Sequence, residues 1–429
     1  MKIFKFGGAS VKDAAGVHNL YNVLLSQQLE SVGLVVSAMG KTTNALEEVL
    51  TQFKQDAVNK WSYVDQLQQF HLNIVRGLEE LHSQDEEWCA RFRESGIKTI
   101  VTQLIESLKD ILIRHGKKSR AFLYDQVVCH GELLSTRIVA AYLNAHDFPI
   151  EWIDARDLIA TDDKYRDAGV DWKKTQKQLH HLVNGQSFLT QGFIAADPNG
   201  FTTTLGREGS DYTAAIIAYS LGAQSVTIWK DVPGVLSGDP RVFDQMVLLE
   251  HISYREAIEL AFYGASVIHP KTLQPLQGKQ IPLHVKSFIH PDQNGTVIRD
   301  GQALEPMVPC FIVRKGLHLL EVAALDFSFI GEGNISDIFN ELNEYKLQVG
   351  LIQNSAISFT LCVEDKYELI TDLIEGLTER YQVNHVANVS LFTIRHYDDK
   401  VIREFEKGKN VLLKQLTQET VQLVVKEQE

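Results

Sequence analysis

The sequence predicts an α/β domain with a mostly parallel sheet sandwiched by helices, followed by smaller α+β modules of ferredoxin-like order. Three observations carry this reading. Short, almost continuously apolar runs recur, such as Gly33 to Ala38 (GLVVSA) and Ser225 to Trp229 (SVTIW), as in strands covered on both faces. They alternate with helix-period segments up to about Ser287, which defines a parallel-sheet domain. After a stretch rich in Gly, Pro, Asn and Asp, Asp292 to Pro309, the rhythm changes to βαββαβ.

Lys2 to Phe6 is the first strand and runs directly into Gly7-Gly8-Ala9-Ser10. Strand, glycine loop and helix is the arrangement that presents backbone N–H groups to phosphates. Lys5, set among Ile3, Phe4 and Phe6, is out of place as a core residue and suited to a phosphate as a point charge. Met39 to Asn44 is a polar loop at the C-terminal end of the next strand, where open α/β sheets bind ligands. Asn44 to His115 is mostly helical, with Tyr63, Leu67, Phe70, Ile74, Leu78 and Leu81 at helical spacing.

Val127 to Leu143 is a further helix, in which Glu132, Ser135 and Thr136 fall on one polar face. That spacing equally fits a solvated face. Ile150 to Ile153 reads as a strand and Gln176 to Val183 as a helix. A strand-like run, Ser187 to Ala196, and a Pro198-Asn199-Gly200 turn lead to Thr203–Ala214 (TTLGREGSDYTA), with an apolar helix expected over Ala214 to Leu221. Gly206 and Gly209 suit a sharp loop, Ser210 and Asp211 suit a helix start, and Arg207 supplies a planar fork for a carboxylate or phosphate. Lys230 to Arg241, with Asp231 and Asp239, fits a nucleotide's ribose and phosphates, or is a plain surface loop. Ser253 to Ala265 is helical, His269-Pro270-Lys271-Thr272 opens another helix, and Pro282 to Phe288 is the last strand of this domain.

In the tail, His318 to Val386 spells βαββαβ, and Asn388 to Val425 gives β, α, β, β, short by a helix and a strand. The run Pro309 to Val313 is a candidate for the missing edge. The expected boundaries are a catalytic domain at 1–290, a linker at 291–308, and modules at 309–387 and 388–429, the second shortened.

The formal charge of −13, from 42 Lys+Arg against 55 Asp+Glu, argues against a nucleic-acid surface. It leaves room for anionic small substrates in a local basic pocket. Four cysteines with no CxxC pair indicate neither zinc nor a disulfide framework. No signal-peptide core or membrane-length apolar run is present, so a cytoplasmic enzyme is expected.

Taken together, the loops resemble those of the aspartate kinases: Lys5-Phe6-Gly7-Gly8-Ala9-Ser10, Ser37-Ala38-Met39 with Thr43, Gly131-Glu132 with Ser135, Gly206 to Tyr212, Trp229 to Gly234 with Asp239-Pro240-Arg241, and Gly264-Ala265 with His269-Pro270. The tail is similar to that family's paired ACT regulatory modules. The resemblance implies an amino-acid kinase fold and transfer of the γ-phosphoryl of ATP to the β-carboxylate of L-aspartate, with Mg²⁺ on the phosphates. It assigns Lys5, Gly7, Gly8 and Asp211 to catalysis. Ser10, Thr43, Glu132, Arg207 and Ser210 would bind aspartate, Glu132 taking its ammonium and Arg207 its α-carboxylate. Lys5, Lys230, Asp231, Asp239 and Arg241 would lie along the nucleotide, with no protein metal ligand assigned. The implied partners are the two substrates, a second copy of the chain and an amino-acid effector at the tail.

The sequence departs from the family pattern at Ala9, where a threonine is usual, at Glu208, where a glycine is usual, and at Ser266, where a lysine is usual. Glu208 is expected to point away from the anionic site, and Lys271 to compensate for Ser266. Gly350 replaces an acidic residue of the first module, so weak inhibition by lysine or threonine is expected. Two other readings stand beside this one: a different amino-acid kinase, such as one acting on acetylglutamate, and a non-catalytic amino-acid sensor.

Overall fold

The computed structural model describes residues 1–27, 29–55, 58–265, 268–301, 303–326 and 328–427. The chain forms two compact units, the first made of Met1–Val235, Leu248–Ile258 and Val267–Leu304, the second of Leu236–Val247, Glu259–Ser266 and Glu305–Glu429. Up to residue 304 the strands are β1 (Lys2–Phe6), β2 (Val32–Val36), β3 (Glu151–Trp152), β4 (Phe188–Gln191), β5 (Ile194–Ala196), β6 (Thr202–Thr204), β7 (Ser225–Lys230), β8 (His251–Ile252), β9 (Leu283–Ser287) and β10 (Thr296–Ile298). The helices are α1 (Ala14–Ser26), α2 (Thr42–Lys54), α3 (Lys60–Leu81), α4 (Glu86–Glu94), α5 (Ile97–His115), α6 (Arg120–Ala145), α7 (Ala155–Leu158), α8 (Trp172–Leu182), α9 (Gly209–Leu221), α10 (Tyr254–Tyr263) and α11 (Pro270–Gly278).

One eight-stranded sheet runs β3-β4-β2-β1-β7-β9-β10-β8. The recorded pairings within it are parallel except β9 with β10. β5 and β6 form a separate antiparallel ribbon. Because side chains alternate along a strand, Phe4 and Phe6 share one face of β1, where they meet Trp229; Phe6 stacks on it at 6.1 Å. The lobe of α2 to α6 joins them in a single apolar core. Lys5 projects from the opposite face, toward α9. Among the described residues no helix is long and apolar enough to cross a membrane.

Three local expectations are corrected. The run Ser187 to Ala196 is two strands in different sheets, broken at Phe193, whose φ of 71° no strand can hold. The helix expected from Ala214 begins at Gly209, because Glu208 takes the N-cap position with φ 52°; Ser210 and Asp211 therefore lie inside its first turn. The segment read as linker contains β10, which extends the sheet between β9 and β8.

In the second unit β11 (Cys310–Ala324), α12 (Glu332–Glu344), β12 (Gln348–Asn354), β13 (Ser358–Glu364), α13 (Ile370–Thr378), β14 (Tyr381–Arg395), α14 (Asp399–Glu406), β15 (Val411–Leu416) and β16 (Thr420–Lys426) give one six-stranded sheet, β12-β13-β11-β14-β16-β15. β11 and β14 run through both modules, and Cys310 to Arg314 pairs with Arg395 to Leu391, so the early run does supply the missing edge. The sheet curls into a half-barrel: Gln415 on β15 donates to the Ile352 carbonyl on β12 at 3.4 Å. Leu317, Leu351, Cys362, Leu391 and Val424 cluster together on one of its faces. Beside Gly350, where a Cβ would lie 2.9 Å from Arg314 Nη1, the Arg314 guanidinium pairs with Glu364 at 2.6 Å.

The buried Thr296 hydroxyl fastens β10, accepting from the Val235 N–H at 2.8 Å and donating to the Leu249 carbonyl at 2.6 Å. Thr296→Val keeps the shape and strands both backbone groups. A loss of about 1–3 kcal/mol is expected in denaturant unfolding; an unchanged midpoint would show that β10 is dispensable to the domain.

Candidate active site

Lys5 and Asp211 meet at the centre of the first unit, with Nζ 2.7 Å from Oδ1 and side chains 11% and 3% exposed. Lys230, at the end of β7, brings a second ammonium to 3.7 Å from Asp211 Oδ2. Two ammonium groups around one carboxylate sum to one positive charge in a partly dry environment, which favours an anion. The loop after β1 is locked beside this cluster. Gly40 N–H donates to the Gly8 carbonyl at 2.9 Å, and a Cβ on Gly8 would lie 2.6 Å from the Ala38 carbonyl oxygen, so only glycine allows the approach. Ser10 is buried, its N–H donating to the Gly7 carbonyl at 3.0 Å; Ala9 is exposed.

The second part of the site comes from α6, which is buried along most of its length. The face bearing Glu132, Ser135 and Thr136 is therefore interior and not solvated. Ser135 donates to the Ser37 carbonyl at 2.7 Å, and Thr136 accepts from Trp152 Nε1 and Gln191 Nε2 at 3.0 and 2.9 Å. Glu132 is 2% exposed, and its Oε2 has no hydrogen-bond partner among the described residues. Burial pushes its carboxyl up to about 8, against the opposing pull of its own N–H and that of Ala38. Ala38 thus links Glu132 to the glycine loop that flanks Lys5. Thr43 is half-buried in the first turn of α2, beside Thr42, whose hydroxyl donates to the Met39 carbonyl at 2.6 Å.

The third part is the loop between β6 and α9. Gly206 has φ 79°, and a Cβ there would lie 2.5 Å from Asp167 Oδ1. Arg207 is exposed, and Ser210 is buried in the first turn of α9. Glu208 Oε2 is buried and lacks a hydrogen-bond partner among the described residues, and its charge acts on His269. Lys271 does not stand open to phosphate, because its ammonium is paired with Asp167. Ser266 lies outside the described residues. Asp231 is exposed in the segment after β7. Asp239 and Arg241 belong to the second unit and pair with each other at 2.6 Å. Sequence reasoning missed Asp125, Gln126 and Asp167; the first two were visible only as polar residues interrupting an apolar helix.

The profile of the amino acid kinase family matches residues 1–287. Lysine-sensitive aspartokinase 3 of Escherichia coli (strain K12) is 31% identical over 367 residues, covering 84% of this chain and 78% of that one. The chain belongs to the amino acid kinase family, in its aspartokinase branch. Two solved structures of E. coli aspartokinase III, one with lysine and aspartate and one with aspartate and ADP, superpose with TM-scores of 0.81 and 0.80 at 26% identity, each over 99% of this chain and 96% of the other. Bifunctional aspartokinase/homoserine dehydrogenase 1 of Zea mays is 29% identical, and the match spans 39% of its length.

A carboxyl that titrates near 8 is protonated at pH 7, whereas a substrate ammonium pairs with the carboxylate. Binding should therefore expel a proton from Glu132, and affinity should rise as pH increases toward 8. Calorimetry of aspartate binding at pH 7, in buffers of different ionisation enthalpy, should report release of about one proton. Glu132→Gln should abolish that release; release of equal size in the variant would exclude Glu132 as its source.

Proposed function

We propose that this chain transfers the γ-phosphoryl group of ATP to the β-carboxylate of L-aspartate, giving 4-phospho-L-aspartate and ADP. The observation that carries the substrate choice is the buried Glu132 oxygen, which has no hydrogen-bond partner among the described residues. It fits a free α-ammonium, which brings a charge and three N–H donors where an N-acylated nitrogen offers one neutral N–H, and this favours aspartate over acetylglutamate. The relative aspartokinase III has been solved in complex with aspartate and ADP, which supports this reading.

In this reading Arg207 grips the α-carboxylate by its planar fork. Ser10, Thr43 and Ser210 hydrogen-bond the rest of the amino acid. A β-carboxylate oxygen attacks the γ-phosphorus as the bond to the β,γ-bridging oxygen breaks, and ADP leaves with that electron pair. The nucleophile is already ionised, so no general base is needed. Lys5 and the N–H groups of Gly7 and Gly8 stabilise the charge spreading over the transferring group. Asp211 holds Lys5 in place. Lys230 and Asp231 lie along the nucleotide; Asp239 and Arg241 are assigned to it by family resemblance alone. Among the described residues no group of three or more His, Cys, Asp or Glu is placed to hold a metal. In this reading Mg²⁺ would be held chiefly by phosphate oxygens, where it would neutralise charge.

We assign catalysis to residues 1–290, and association and regulation to modules at 309–387 and 388–429. Leu325 and Phe329 are 65% and 79% exposed in the first module, surface that a homodimer would cover. An amino-acid effector beside Gly350 would find no carboxylate at that position for its ammonium, and the neighbouring Arg314 is already paired with Glu364. A cytoplasmic location completes the reading.

Hydroxylamine trapping of the acyl phosphate tests the assignment. Aspartate should give hydroxamate, and an N-acylated acid none; the reverse would overturn the reading. Arg207→Lys should raise KM for aspartate by about tenfold or more while ATP binding stays unchanged, since lysine keeps the charge without the two-point contact. Unchanged aspartate kinetics would remove Arg207 from the substrate site.

A further inference from the structure

The two groups assigned to the ends of aspartate come from elements far apart in sequence: Glu132 from inside α6, Arg207 from a loop after a three-residue strand. A ribbon as short as β5–β6 has little intrinsic stability. Something must fix where that loop stands relative to α6, and the structure shows what does.

Asp125 and Gln126 lie on α6, about 10 Å along its axis from Glu132. Asp125 is fully buried. Its carboxylate accepts from three donors: the Thr204 N–H at 2.9 Å, the Thr204 hydroxyl at 2.9 Å and the Arg166 N–H at 3.0 Å. Gln126 then treats Thr202 as a neighbouring strand would. Its Nε2 donates to the Thr202 carbonyl at 2.7 Å, and its Oε1 accepts from the Thr202 N–H at 3.1 Å. Consecutive side chains of one helix thus register both ends of β6. Thr204 is gripped from its other side as well, its carbonyl accepting from the Ala168 N–H at 2.9 Å.

The Arg166 to Ala168 segment completes the frame. Arg166 is held at φ 76°, a costly conformation for a non-glycine residue, with its guanidinium 4.2 Å over the Tyr124 ring. That conformation directs its N–H to Asp125. The next residue, Asp167, lies against Gly206 and pairs with Lys271. Burial pushes Asp125 up to about 6, the Arg166 and Thr204 donors pulling it back, so it is ionised at neutral pH and its bonds are charge-assisted.

We propose that Asp125, with Gln126 beside it, is the positioning clamp that sets the Arg207 loop at the separation from Glu132 that aspartate requires. This rests on the assignment of Glu132 and Arg207 to the two ends of aspartate. Asp125 acts through Thr204 and does not touch substrate. An asparagine there would keep one acceptor oxygen for the Thr204 and Arg166 N–H groups, lose the negative charge that strengthens both bonds, and turn its NH₂ toward the Thr204 hydroxyl, which loosens the loop. Lys5, on the nucleotide side of the site, pairs with Asp211 on α9.

The test is steady-state hydroxamate formation by full-length Asp125→Asn, Thr204→Val and Thr204→Ser. Asp85→Ala is the control, since it removes the cap of α4, which accepts from the Trp88 N–H at 2.9 Å, and loosens the fold elsewhere. Asp125→Asn should raise KM for aspartate about tenfold or more, with KM for ATP within about twofold of wild type. Thr204→Val should raise KM for aspartate about threefold, and Thr204→Ser should restore it. These readouts stand even where Asp125→Asn proves insoluble. The clamp is overturned if aspartate KM moves no further than in Asp85→Ala, or if ATP KM rises equally. A wild-type enzyme that makes no hydroxamate from aspartate would instead sink the functional reading beneath it.

Discussion

The contact between Lys5 and Asp211 is the constraint around which the first unit is arranged. It joins the first strand of the chain to the start of α9, across about two hundred residues of sequence, at 2.7 Å. Removing two charges from water costs several kcal/mol per ion, and mutual attraction offsets this only with good geometry. A pair of this kind is a weak stabiliser. It is, however, costly to break on one side, so it specifies where α9 begins relative to β1. The left-handed Glu208 is the backbone consequence: α9 can start early enough to place Asp211 over Lys5 only if the preceding residue turns sharply.

The other half of the site depends on burial. α6 carries polar groups where a helix of this exposure would normally carry leucines, and almost all are satisfied: Asp125 and Gln126 by β6, Ser135 by β2's end, Thr136 by Trp152 and Gln191. Among the polar side chains of α6 the open oxygen of Glu132 stands out, since buried polar groups are usually paired. A site that leaves a carboxylate dry and unmatched selects for a ligand that brings a positive charge. An N-acylated acid brings one neutral N–H and no charge there, so it compensates the desolvated group less well than an ammonium does.

What could be read from the sequence was local. Lys5, the Gly7-Gly8 loop, Arg207 and the strands around them announce themselves within a few residues, through apolar runs that end in glycine and charge. The change of rhythm in the tail was equally plain, and the strand edge at Cys310 followed from counting what the second module lacked. The rest depended on contacts between distant segments. Nothing near Asp125 shows that its partners are Thr204 and Arg166. Thr296 reads as a linker residue until Val235 and Leu249 are placed beside it. Glu132 could not be told from a solvated face, because a helix buried all round has no apolar stripe to betray its orientation. Asp239 and Arg241 are assigned to the nucleotide by family resemblance, and the structure pairs them with each other.

The central claim is that Lys5 and Asp211 act as one unit, the carboxylate holding the ammonium where phosphoryl charge develops. A double-mutant cycle on kcat/KM, with Lys5→Met, Asp211→Asn and the two combined, measures this directly. The account predicts that the double variant is nearly as slow as Lys5→Met alone, because the contact Asp211 keeps with Lys230 is the looser one, at 3.7 Å. Penalties that multiply would contradict it, and would mean that Asp211 serves the reaction independently of Lys5.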